Sequence, residues 1–523
     1  MKVAIITGGA SGMGLAVASA LSRRETWNVH ILDINENLGV AREENIENLT
    51  FHRINVTDYD ALANTFKAIF TSSGYRLDFV FANAGVVERT NFYATHPDGA
   101  EPPPRLDQTS IDIDLKGVIW TTYLALHYFR QSPDKGKGSS LVMTASCGGL
   151  YPSYYSPLYS AAKYGPALID ATGTEVAAGK AFGLAVEVSG KNYYVRDQHE
   201  YCDEDMRKVM SATEVDNQIG AACLLTIHGK AVMANPQGQG RVAIVTGATS
   251  GIGIDLSKDL YAHGWKVACV GRRREAGEAL VKGLGENAVF LQADLEDYAS
   301  QARMFKAVYD TWGRIDALCA NAGIVDKSSI YIFNWRGRDV DDIPPEPDLS
   351  CTDIDYKGVI YGTQLAIHFM RQNKPHPGGK IVVTGSIAAV FPHRSYPEYC
   401  GTKSAVVTFI RGVAPLLKQK DNIFINTVLP GIIATPIVPP EMIEAVTPEC
   451  ITPVETVIKG YHRFLDDETG VTGQVLEASA NKLLPYDLPE MGNGRITKRA
   501  VTVWEPLFRM MHGEDSGLPE AIP

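Results

Sequence analysis

Short aliphatic and β-branched runs recur along the chain, and stretches with helical spacing separate them. Val3-Ala4-Ile5-Ile6, Asn28-Val29-His30-Ile31-Leu32-Asp33, Val242-Ala243-Ile244-Val245 and Lys380-Ile381-Val382-Val383-Thr384 read as buried strands, as does Gly473-Gln474-Val475-Leu476-Glu477-Ala478-Ser479. Strands alternating with helices predict a parallel sheet wound by right-handed crossovers.

The pattern then repeats. Val3-Ala4-Ile5-Ile6-Thr7-Gly8-Gly9-Ala10-Ser11-Gly12-Met13-Gly14 returns as Val242-Ala243-Ile244-Val245-Thr246-Gly247-Ala248-Thr249-Ser250-Gly251-Ile252-Gly253. Asn83-Ala84-Gly85 returns as Asn321-Ala322-Gly323, and Asp112-Ile113-Asp114 as Asp353-Ile354-Asp355. Ser146, Tyr159 and Lys163 return as Ser386, Tyr399 and Lys403, at an offset of 240 (399−159). That period is too long for a solenoid and means two whole domains in tandem. The expected fold is therefore α/β, with two Rossmann-like doubly wound parallel sheets. Residues 1–232 form the first domain, 233–240 a linker rich in turn formers, 241–482 the second domain and 483–523 a C-terminal extension.

Composition narrows the setting. A hydrophobic fraction of 45% and a charged fraction of 21% are those of a globular protein. A net charge of −11 argues against nucleic acid or an anionic membrane as partner. The eight cysteines are scattered without a Cys-x-x-Cys, so no metal site or disulfide framework is expected, and reduced thiols suit the cytoplasm. The first strand begins at the N-terminus and leaves no room for a signal peptide, and no apolar run reaches the length of a membrane span.

Candidate chemistry sits between Gly385 and Lys403. Tyr399 and Lys403 are four apart, so on a helix they share a face, and an ammonium beside a phenol is expected to lower its pKa. A phenol so tuned passes a proton to or from an alcohol oxygen, and the Ser386 hydroxyl can hydrogen-bond the same oxygen. Cys400 reads as a small buried residue, not a nucleophile. In both copies a strand, a glycine-rich turn and a helix follow one another, the arrangement that seats a pyrophosphate on backbone N–H groups.

Together these motifs resemble the short-chain dehydrogenase/reductase family, with a flavour of the branch containing 15-hydroxyprostaglandin dehydrogenase. The resemblance implies hydride transfer between a nicotinamide and a carbonyl/secondary-alcohol pair. Tyr399 would be the acid/base, Ser386 the carbonyl anchor, and Lys403 the ribose-binding residue that acidifies the tyrosine; Ser146, Tyr159 and Lys163 correspond in the first copy. Asp355 and Asp114 stand where the family usually has the asparagine of a water-mediated relay. An aspartate accepts the same hydrogen bonds but adds charge beside the lysine. Implied cofactor contacts in the second copy are Gly247, Ser250, Gly251, Ile252, Gly253, Asp294, Leu295, Asn321, Ala322, Gly323, Pro430, Gly431 and Thr435. In the first they are Gly8, Ser11, Gly12, Met13, Gly14, Asn55, Val56, Asn83, Ala84 and Gly85.

The copies differ in two ways. Asp33 ends the second strand of the first copy, where a carboxylate accepts from ribose hydroxyls and repels a 2′-phosphate, so that copy reads as NAD(H)-binding. The second copy has Gly271-Arg272-Arg273-Arg274, and guanidinium forks suit a phosphate dianion, so it reads as NADP(H)-binding through Arg272 and Arg273. The second copy also runs through Phe424-Ile425-Asn426-Thr427-Val428-Leu429-Pro430-Gly431, like the family's sixth strand and Pro-Gly loop, into a substrate-covering segment over residues 436–467. In the first copy, Gly183-Leu184-Ala185-Val186-Glu187-Val188-Ser189 aligns instead with the last strand, so about fifty residues are absent (offset 290, 473−183, against 240).

The expected function is an NADP(H)-dependent oxidoreductase acting on a small hydrophobic ketone or alcohol in the second copy. Two other readings stay open: a redox-neutral epimerase using NAD in one copy and NADPH in the other, and a non-catalytic NADP-binding scaffold. The copies are expected to pair within the chain as a pseudo-dimer, and a homo-oligomer is open. Trp504, Phe508 and Met511 in the tail read as core or interface.

Overall fold

Val242 to Thr246 are buried throughout, and so are Val3 to Thr7. Strands apolar on both faces belong in the middle of a parallel sheet with helices on each side. The computed structural model describes residues 1–36, 48–97, 99–171, 185–189, 192–196, 240–491 and 493–523.

In the first copy β1 (Lys2–Thr7), β2 (Trp27–Asp33), β3 (Leu49–Arg53), β4 (Phe79–Ala82) and β5 (Ser140–Met143) form a parallel sheet of order β3-β2-β1-β4-β5. In the second, β8 (Val242–Thr246), β9 (Lys266–Gly271), β10 (Ala288–Gln292), β11 (Ala317–Ala320) and β12 (Gly379–Thr384) repeat that order. They continue into β13 (Ile423–Pro430), β14 (Val475–Ser479) and β15 (Lys482–Pro485), only the last being antiparallel. The order reverses between β1 and β4 and between β8 and β11, which opens a crevice at the strands' carboxyl ends.

The expectation for Ala185 to Ser189 is overturned. This segment, β6, pairs antiparallel with β7 (Asn192–Arg196) in a separate two-stranded hairpin and adds nothing to the first sheet. Among the described residues no strand equivalent to β13 pairs with β5, which is there an edge. Its Val142 is 45% exposed, whereas the matching Val382 is fully buried. The expected linker lies outside the described residues except for Gly240.

The helices that matter below are α1 (Gly12–Ser22), α2 (Gly117–Gln131), α3 (Pro157–Ala171), α4 (Ile252–Ala262), α5 (Gly358–Met370), α6 (Pro397–Asp421), α7 (Val454–Leu465) and α8 (Glu505–His512). A π-helical turn precedes α2 at Asp112–Lys116 and α5 at Asp353–Lys357. The copies meet with α3 along α6, and the contacts are reciprocal. Lys116 Nζ lies 3.0 Å from Asp353, and Lys357 Nζ lies 2.8 Å from Asp112. Tyr59 donates to the Pro344 carbonyl, and its counterpart Tyr298 donates to that of Pro103. Such exchange of equivalent partners is the mark of a two-fold interface, here between unequal halves of one chain.

The C-terminal extension crosses back over the first copy. Phe508 on α8 is buried against Tyr93, while His512 bonds to Asn91 Oδ1 (2.7 Å) and the Tyr155 carbonyl (3.0 Å). Tyr151 Oη donates to the Glu490 carbonyl. Helix 495–501 packs on Cys147–Leu150, the short helix that follows Ser146. Of the expected apolar trio only Phe508 enters a core. Trp504 is 51% exposed, because it caps α8 instead of lying on its inner face.

Candidate active site

β12 delivers Ser386 at its carboxyl end, and α6 carries Tyr399 and Lys403 on one face. Both enter the crevice beside β8. The result is a cavity of about 780 Å³ between the glycine-rich turn and residues 430–442. Ser386, Tyr399 and Lys403 line it, with Gly247, Ser250, Gly251, Ile252, Arg272, Arg273, Asp294, Leu295, Asn321, Ala322, Gly323, Pro430, Gly431 and Thr435. Gly253 and Asp355 stand behind the wall. Gly251 has φ +51° as it turns β8 into α4, so the helix N-terminus opens on the cavity.

Lys403 Nζ lies 5.5 Å from the centre of the Tyr399 ring and donates to the Thr384 carbonyl at 3.1 Å. It also pairs with Asp355 Oδ2 at 3.1 Å, both side chains being buried. Asp355 Oδ1 accepts from the Ile324 N–H at 2.8 Å. The aspartate therefore contacts the lysine directly. Gly323 makes room for this pair, since a Cβ there would stand 2.7 Å from Asp355 Oδ2 and 3.1 Å from Lys403 Nζ.

The electrostatics depart from expectation in one respect. Burial raises the Tyr399 phenol above its ordinary pKa, and Lys403 and the Ser386 hydrogen bond offset only part of that. Burial alone would depress the Lys403 ammonium, but Asp355 and Tyr399 outweigh it and keep the group charged. Burial likewise lifts Asp355, against the pull of Lys403.

In the first copy Lys163 lies 3.6 Å from Asp114 and 3.4 Å from the Thr144 carbonyl, both longer than in the second. Burial lowers Lys163 despite Asp114, the reverse of Lys403. Ser146 bonds the Tyr159 hydroxyl, and burial raises that phenol too. Asp33 turns onto its own glycine-rich loop, accepting from the Ala10 N–H at 3.0 Å. Gly8 and Ser11 lie on the β1–α1 turn, Gly12, Met13 and Gly14 open α1, Asn55 and Val56 follow β3, and Asn83, Ala84 and Gly85 follow β4.

The three arginines separate. Arg273 donates to the Thr249 carbonyl at 2.7 Å and holds the glycine-rich turn, while Arg274 reaches outward to Glu278 and Gln292. One residue absent from the sequence reading is Asp326. Its two oxygens accept from the Tyr399 N–H (2.7 Å) and the Glu398 N–H (3.0 Å), capping α6 from the loop after β11. Glu88 does the same for Tyr159 at 2.8 Å. The repeat carried the signal: an acidic residue stands three places after each Asn-Ala-Gly.

The family model for short chain dehydrogenase matches residues 2–180 and 241–443. The chain belongs to the short-chain dehydrogenase/reductase family. It is thus an enzyme of a family that works with a nicotinamide cofactor, duplicated in tandem. Short-chain dehydrogenase/reductase prx6 of Penicillium rubens is 68% identical over 292 residues, 54% of this chain and 98% of the relative. Short-chain dehydrogenase/reductase prx7 of the same organism is 44% identical over 279 residues, 40% of this chain and 99% of the relative. That second match is longer than the share of this chain it draws on, so prx7 has positions this short-chain dehydrogenase lacks. A 15-hydroxyprostaglandin dehydrogenase of Rattus norvegicus, its name specifying NAD(+), is 32% identical over 204 residues, 38% of this chain and 70% of the relative.

Proposed function

We propose that the second copy is an NADP(H)-dependent oxidoreductase interconverting a hydrophobic ketone and its secondary alcohol. The observation carrying this reading is the convergence of Tyr399, Ser386 and Lys403 on one cavity that Arg272 and Arg273 also wall. The α4 N-terminus would hold the pyrophosphate, Arg272 the 2′-phosphate, Asp294 and Leu295 the adenine, and Lys403 the nicotinamide ribose. When bound, the cofactor supplies or takes the hydride.

The chain's own groups do the rest. Tyr399 Oη gives its proton to the substrate oxygen, or takes one from it, and Ser386 Oγ donates a hydrogen bond to the same oxygen. Lys403, kept charged by Asp355, offsets the burial that raises the phenol. Asp326 fixes the backbone of Tyr399. Ile437, Val438 and Met442 give the cavity an apolar wall, which suits a hydrophobic substrate. The first copy is read as the supporting half of an intrachain pseudo-dimer, since its lysine–aspartate pair is looser and, among the described residues, its sheet ends at an edge strand.

A panel of hydrophobic ketones assayed for NADPH and NADH oxidation tests the proposal. NADPH should be preferred at least about tenfold, and Arg272→Ala should erase that preference by raising KM for NADPH. Equal use of the two cofactors, or a preference surviving Arg272→Ala, refutes the cofactor assignment. No turnover with either cofactor refutes the reaction class.

A further inference from the structure

We propose that Asp259, His263 and His462 form a binding site for a divalent transition-metal ion, with Asp466 orienting His462. The site lies away from the cavity, where the C-terminal end of α4 meets α7. Each helix offers an i, i+4 pair, Asp259 with His263 and His462 with Asp466, so four side chains converge from two faces. The ligand atoms of Asp259, His263 and His462 all lie within 4.8 Å of one another. A single oxygen, Asp259 Oδ2, faces His462 Nε2 at 2.5 Å and His263 Nδ1 at 3.4 Å. The two imidazole rings are 4.7 Å apart.

Asp466 completes the arrangement from behind. Its Oδ2 lies 2.7 Å from His462 Nδ1, the carboxylate–histidine contact that fixes a ligand's tautomer and aims its other nitrogen. The two imidazoles are borderline donors, which select Zn²⁺, Co²⁺ or Ni²⁺ over Mg²⁺ or Ca²⁺, and the carboxylate is a harder third ligand. His263 is 43% exposed, so an ion can enter and keep water in a fourth position.

Asp259 and Asp466 both present carboxylates to the site, and Asp466 also pairs with Arg241 at 3.5 Å. The competitor is a proton. Desolvation would lower His462, but Asp259 and Asp466 outweigh it and pull the ring up to about 9. An ion binding there displaces the contact between Asp259 Oδ2 and His462 Nε2, which lie 2.5 Å apart. The consequence is mechanical: α4 opens at the glycine-rich turn and α7 follows the segment covering the cavity, so a bound ion ties the two together.

The test is a Co²⁺ titration of the full chain, stripped with chelator, followed by visible absorption, with Zn²⁺ competition. One equivalent should bind at saturation. His263→Ala and His462→Ala should each weaken it by more than about tenfold, and Asp466→Asn by about tenfold. Unchanged NADPH affinity in His263→Ala serves as the fold control. No saturable Co²⁺ spectrum, or equal affinity in the histidine variants, overturns the site and leaves an ion-pair network.

Discussion

Replacing Asp355 by asparagine changes little in shape and much in bonding. The carboxylate accepts from the Ile324 N–H at 2.8 Å through one oxygen and forms an ion pair with Lys403 Nζ at 3.1 Å through the other. An amide has one oxygen and no charge, so either the Ile324 N–H loses its acceptor or Lys403 faces an NH₂, and the ion pair is lost in both cases. At 3.1 Å and an effective dielectric of about 20, the gross attraction is about 5 kcal/mol. Desolvation offsets part of that, and breaking a buried pair usually costs about 3–5 kcal/mol. Since the amide still satisfies one donor, Asp355→Asn should cost about 3 kcal/mol. Asp114→Asn should cost less, because the Asp114–Lys163 separation is 3.6 Å and burial already holds the Asp114 carboxyl up at about 6. Urea denaturation at pH 7, with fluorescence and circular dichroism followed together, reads both variants. If Asp355→Asn stays within about 0.5 kcal/mol of the parent, or Asp114→Asn proves the costlier, the buried-pair reasoning fails.

Stability should also fall on the alkaline side of neutrality. Burial lifts Glu88 and Glu398 to about 8, so the folded chain keeps protons that an unfolded one sheds above pH 4.5; this contribution is lost as pH rises through 8. Each loses about 1.4 kcal/mol between pH 7 and 9, the last part of a fall that begins near pH 4.5. His462, raised to about 9, adds to the fall between 6.5 and 9. Glu398→Gln keeps an acceptor for the two Thr352 donors at 2.8 Å and should flatten the slope of melting temperature against pH; an unchanged slope counts against a protonated Glu398. Phe508→Ala removes a buried ring from the Tyr93 surface and should free the tail for limited proteolysis at a cost of about 3 kcal/mol. A tail as protected as in the parent would mean that Phe508 does not anchor it.

Much of this architecture was legible because it repeats locally. The run Val242 to Thr246, the glycines after it and the Tyr399–Lys403 spacing depend on short-range periodicity, and each occurs twice. What escaped the sequence depends on partners far along the chain. Asp326 works through backbone N–H groups more than seventy residues away, which no side-chain motif encodes. The raised Tyr399 phenol is a consequence of burial, and adjacency to Lys403 alone pointed the other way. Ala185 to Ser189 has a strand's composition, but composition does not say which edge it joins, and it joins Asn192–Arg196. Apolar spacing in the tail did not reveal that it returns to the first copy. The Asp259 and His462 pairs sit on helices about two hundred residues apart, so no metal-binding spacing was visible.

Turnover in two matched variants decides where the chemistry resides. With a ketone that the parent reduces, Tyr399→Phe should lower kcat by about 10²–10⁴-fold, while Tyr159→Phe stays within about twofold, both binding NADPH as the parent does. Comparable losses in the two, or full activity in Tyr399→Phe, would contradict a single working site in the second copy.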